Sequence, residues 1–135
     1  MNQFYDKARQ RAAETGLGWT SGNIKALLVS AVYVPNIATD EFVSTIVSSG
    51  GILKRSGNFT SKTNVGGVLN ADFVTFSLVA PAVVGKYVVI YRDTGVDATS
   101  ELIIVDDTAQ NLPYTSDGGN AVAQWSSGTN KIGQI

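Results

Sequence analysis

Apolar and polar positions follow two different periods along this chain, and the change of period separates a short N-terminal helix from a long succession of strands. From Gln3 to Thr15, Phe4, Ala8 and Ala12 recur at helical spacing while Lys7, Arg9, Arg11 and Glu14 lie largely outside the stripe. Gly16 stands where a left-handed helix end is needed, and Leu17 supplies the apolar contact that accompanies such a cap. The stripe is narrow and leans on alanine, so this helix has to be received by its own sheet or by a neighbouring chain.

Beyond the turn at Thr20 to Asn23, Ile24 to Val34 is almost continuously apolar and rich in β-branched residues, which predicts a long central strand covered on both faces and ended by Pro35. Thr39 or Asp40 is expected to cap a helical turn near residues 39–47 in which Phe42, Val43 and Ile46 share a face, with Ser48 to Gly51 as a flexible hinge after it. Ile52 to Thr63 reads as a weaker, polar strand and Gly66-Gly67 as a turn. Phe73 to Val79 alternates, with Val74, Phe76 and Leu78 on one face and Thr75 and Ser77 on the other. Lys86 to Arg92 and Glu101 to Asp106 read as central strands joined through Asp93-Thr94-Gly95. Ala121, Ala123 and Trp125 alternate with Val122 and Gln124, and Ser126 to Asn130 turns the chain into a last strand, Lys131 to Ile135.

Without any strand–helix–strand alternation, this pattern predicts a mainly β fold: a single compact antiparallel β-sandwich or open barrel of about seven strands. The expected organisation is an N-terminal helical segment, residues 1–18, attached to a β-sandwich domain, residues 19–135.

Composition narrows the chemistry. Among 135 residues there is no histidine and no cysteine, which excludes Ser-His-Asp and Cys-His catalysis and zinc sites built on imidazole or thiolate. Asp93, Asp97, Glu101, Asp106 and Asp107 could offer hard oxygen ligands, but their spacing is not that of a calcium loop, so no metal is expected. The same carboxylates have no aromatic-rich subsite beside them that would suit a glycosidase pair. Gly57 to Thr63 has the Gly and Lys-Thr of a phosphate loop without its second glycine or its following helix. No enzyme activity, catalytic residue or cofactor is therefore expected.

Basic residues are scattered and the net charge is −1, which argues against nucleic-acid binding. Ser77, Pro81, Gly85 and Lys86 interrupt the longest apolar region, and no membrane-spanning helix or secretory leader is expected. Trp19 and Trp125 are read as core or core-edge residues before interface anchors. Residues 1–62 are net positive and the remainder net negative, a split that suits either complementary assembly faces or pairing within one chain.

Three segments carry a resemblance. Val32-Tyr33-Val34-Pro35-Asn36-Ile37-Ala38-Thr39-Asp40-Glu41-Phe42, Val88-Val89-Ile90-Tyr91-Arg92-Asp93-Thr94-Gly95, and Leu112-Pro113 followed by Gly118-Gly119 and Trp125 resemble a group of small virion structural proteins of tailed bacteriophages. The resemblance implies a virion location, after assembly in the host bacterial cytoplasm, and transfers no functional residue. The leading expectation is a capsid decoration or cement protein that binds the major capsid protein or other virion proteins and self-associates. A tail or head–tail connector subunit has the same features, and a glycan- or receptor-binding fibre module would need an exposed aromatic platform. The residues expected to mediate assembly are Phe4, Lys7, Arg9, Arg11 and Leu17, on an N-terminal segment dispensable for the fold.

Overall fold

The computed structural model describes residues 2–109, 112–125, 128 and 131–135. In chain order the elements are β1 (Asn2–Phe4), α1 (Asp6–Glu14), β2 (Ile24–Val29), α2 (Val43–Ser49), β3 (Ile52–Arg55), β4 (Thr63–Val65), β5 (Val68–Asn70), β6 (Val74–Phe76), β7 (Val84–Gly85), β8 (Tyr87–Arg92), β9 (Glu101–Asp106), β10 (Tyr114–Thr115), β11 (Ala121–Ala123) and β12 (Gly133–Gln134). The chain is mainly β, as its periodicity predicts, and every described strand pair is antiparallel.

The three most apolar strands occupy the middle of a five-stranded sheet of order β1-β9-β8-β2-β3. Their unbroken apolar runs follow from burial on both faces. Register places Ala26, Leu28, Val88, Ile90, Ile104 and Phe4 on one face and Leu27, Val29, Tyr87 and Val89 on the other. The first face receives the small ladders β6-β11, β7-β10 and β4-β5-β12. Close approach there needs glycine. A Cβ on Gly85 would stand 2.5 Å from Leu28 Cδ1, and one on Gly133 2.9 Å from Phe4 Cε2. The second face carries the 30–42 loop, whose Tyr33 ring lies 6.3 Å from that of Tyr87. Beside the ladders, Trp19, Phe59 and Trp125 form an aromatic cluster, and the two indole N–H groups donate to Asn70 O and Asp72 O. Both tryptophans are therefore core residues with satisfied donors.

Several boundaries differ from expectation, each for a tertiary reason. The described residues form twelve strands where about seven were expected, and the surplus includes two- and three-residue ladders too short to show a period. The helix expected from Gln3 starts at Asp6, because Asn2–Phe4 pairs with Asp106, Val105 and Ile104 as the edge strand of the main sheet. The boundary expected at residue 18 consequently falls inside one core that contains Phe4, Tyr5, Ala8 and Leu17.

The strand expected to run to Val34 stops at Val29, where Ser30 N–H turns to Gly51 O and the chain bends so that Tyr33 N–H meets Ser30 O. Phe42, not Thr39 or Asp40, is the N-cap of α2. The expected hinge at Ser48 to Gly51 is a braced helix end: Gly50 is left-handed at φ 74°, Ser49 Oγ donates to Ile46 O, and Gly51 N–H donates to Ser49 Oγ. The turn expected at 126–130 lies largely outside the described residues.

Candidate interaction surface

At the exit of β2 the chain presents two large apolar side chains to solvent. Val32 is 67% exposed and Val34 78%, while Tyr33 between them is 2% exposed. Alternation of this kind keeps one side chain inside as an anchor and holds its neighbours outside. The anchor is a chain of hydrogen bonds. Tyr33 O–H donates to Asp40 Oδ2 at 2.7 Å, which leaves the Tyr33 oxygen to accept from Tyr5 O–H at 2.8 Å. Asp40 Oδ2 also accepts Asn36 N–H at 2.9 Å, and Asp6 N–H donates to Ile37 O at 3.0 Å.

Burial pushes both phenols well above the ordinary tyrosine range, so they stay neutral and keep their protons in this relay. Gly51 closes the underside, where a Cβ would stand 3.1 Å from Tyr33 Cβ. The loop is thus tied at residues 33, 36, 37 and 40, and its two valines are held in place before any partner arrives.

The opposite end of β2 is charged. Arg11 Nε contacts Glu101 and Arg11 Nη2 donates to Leu102 O at 2.9 Å. Lys25 Nζ lies 2.7 Å from Asp93 Oδ2, and Arg55 forms a two-bond fork on Asp97 at 2.8 and 2.9 Å. Each of these pairs joins a cation of residues 1–62 to a carboxylate of the remainder, so at these positions the charge split is satisfied within the chain. Asp106 accepts from Thr108 N–H and Oγ–H. Among the described residues no three carboxylates converge as a cation cage.

These pairs make stability depend on acid. The Lys25 ammonium holds the Asp93 carboxyl below its ordinary value, and the Arg55 guanidinium does the same for Asp97. A carboxylate depressed in the folded state contributes stability that is complete above its unfolded value of about 3.9 and is lost as pH falls through the folded value. The urea midpoint is expected to decline from about pH 4 downward. In the Asp93→Asn, Asp97→Asn double variant the decline should be shallower; an equal slope would show that these pairs do not contribute to it.

Of the residues expected to mediate assembly, Phe4 and Leu17 are core residues at 5% and 8% exposure. Arg11 is held by Glu101 and Leu102 O, and Lys7 is half-buried. Arg9 is exposed, with its guanidinium 5.9 Å from the Phe4 ring centre. The helical segment is therefore received by its own chain, and the structure holds Phe4, Leu17 and Arg11 within the fold instead of on a free face. Sequence pattern does not single out the valine loop, because Val32-Tyr33-Val34 continues an apolar run; its one signal is the alternation immediately before Pro35. No protein-family model matches this chain, and no curated protein matches it.

Proposed function

We propose that this chain is a non-enzymatic structural protein of a tailed-phage virion: a capsid decoration or cement subunit that docks on the major capsid protein, self-associates on the shell and stabilises it. The observation that carries this reading is the braced loop with Val32 and Val34 held in solvent on either side of a buried Tyr33. That loop begins the longest segment resembling small phage virion proteins, Val32 to Phe42. Exposed apolar side chains on a rigid support suit the anchor of a protein interface, because little conformational freedom remains to be lost on docking. Two valines cover far less than the roughly 800 Å² per partner of a stable interface, so they serve as its centre and the polar surface around them as its rim.

The test is a reconstruction of phage particles carrying the wild-type chain or its Val32→Asp, Val34→Asp double variant. The reading expects hundreds of copies distributed over the shell for the wild type. It expects occupancy to fall at least about tenfold for the variant, with the thermal midpoint of the free protein nearly unchanged, since both positions are exposed. Six or twelve copies at one vertex would make the chain a connector subunit instead. Undiminished occupancy of the variant would remove the loop from the interface.

A further inference from the structure

Among the described residues, Arg92 is a cation that the ion pairs at the sheet end leave over. Asp93 is neutralised by Lys25 and Glu101 by Arg11, while Arg92 makes no ion pair or hydrogen bond among the described residues. Its guanidinium packs against a glycine turn. A Cβ on Gly18 would stand 2.9 Å from Arg92 Cζ and Nη1, and one on Gly22 2.9 Å from Nε, so the guanidinium lies directly against the backbone of this turn. The Gly18–Gly22 turn is itself braced: Gly22 N–H donates to Gly18 O at 2.7 Å, Lys62 Nζ donates to Gly22 O, and Asp93 N–H donates to Asn23 O at 2.7 Å.

Arg92 lines an open groove of about 580 Å³ together with Ser21, Asn23, Thr94 and two carboxylates, Asp93 and Glu101, whose charge Lys25 and Arg11 already balance. The Ser21 hydroxyl and the Asn23 amide are exposed and uncommitted among the described residues, so two neutral donors accompany the guanidinium. We propose that this groove is a binding site for a carboxylate, with the planar fork of Arg92 as the principal donor and Ser21 and Asn23 as its auxiliaries. Arginine suits this ligand because two parallel N–H groups match two carboxylate oxygens. The assignment does not depend on the virion reading.

The test titrates the full chain with sodium acetate at constant ionic strength, following the Arg92 Nε–H and Gly22 amide signals by nitrogen-15 NMR. A saturable shift of both is expected. Arg92→Gln should weaken binding at least about tenfold. The Ser21→Ala, Asn23→Ala double variant alters exposed side chains only and should weaken it about fivefold. An equal shift with chloride alone, or an acetate affinity unchanged in either variant, would overturn the site. Tighter binding of inorganic phosphate in a parallel titration would overturn the assignment to a carboxylate.

Discussion

Removal of residues 1–17 is expected to abolish cooperative folding. The segment supplies an edge strand, a buried helix face and a charged clasp at once. Without β1, the Ile104 and Val105 backbone loses its partner in Phe4 and Gln3, and an apolar strand becomes an exposed sheet edge. Tyr5 and Ala8 are completely buried, and Tyr5 O–H is the first donor in the relay that holds Tyr33 and Asp40. Arg11 leaves Glu101 without its guanidinium. Truncation of one large buried aromatic such as Phe4 costs about 3–5 kcal/mol. A domain has only about 5–15 kcal/mol in total, and the deletion removes Phe4, Tyr5 and Leu17 together. Far-UV circular dichroism and urea titration should show no cooperative transition. A truncated domain that melted cooperatively within a few degrees of the full chain would refute this and restore the segment as a detachable assembly arm.

Local pattern sufficed where burial is continuous or strictly alternating. Glu101–Asp106 has the limits its sequence predicts, and Tyr87–Arg92 differs by one residue, because both strands are covered on two faces. Ala121, Ala123 and Trp125 are buried and Val122 is exposed, as alternation requires. Gly66 and Gly67 form the expected two-residue turn at φ 59° and 83°, conformations that suit glycine, between Val65 and Val68.

Pattern failed where a distant group decides the outcome. Phe4 fits a helical stripe with Ala8, yet the edge offered by Ile104 takes it as a strand residue. Leu78 continues the alternation of Val74 and Phe76, but the chain has already turned. It sits at φ 51°, donates its N–H to Asn120 Oδ1, and is 72% exposed. Asp40 has the side chain of a helix cap, and Tyr33 and Asn36 engage it first. The valine loop and the Arg92 groove were hidden for the same reason. Exposure of Val32 depends on the anchoring of Tyr33, and the surroundings of the Arg92 guanidinium are supplied by glycines some seventy residues earlier in the chain.

The tightest test of the core lies where Gly85 meets Leu28. Leu28 is 1% exposed on the face that receives β6, β7 and β11, beside Phe76 and Val88. Leu28→Ala is expected to cost about 2–5 kcal/mol through lost burial and the space left behind. Gly85→Ala should destabilise for the opposite reason. Its methyl would stand 2.5 Å from Leu28 Cδ1 and 2.9 Å from Cγ, so the buried leucine or β7 has to shift. Overpacking of this kind costs about 1–3 kcal/mol. In the double variant the new methyl enters space that the shortened residue 28 has vacated, so the combined loss is expected to be smaller than the sum by about 1 kcal/mol or more. Urea midpoints of the four proteins measure the coupling. Losses that add to within about 0.5 kcal/mol would show that β7 does not lie against Leu28 in solution, and with it would fall the packing of the small ladders on the central sheet.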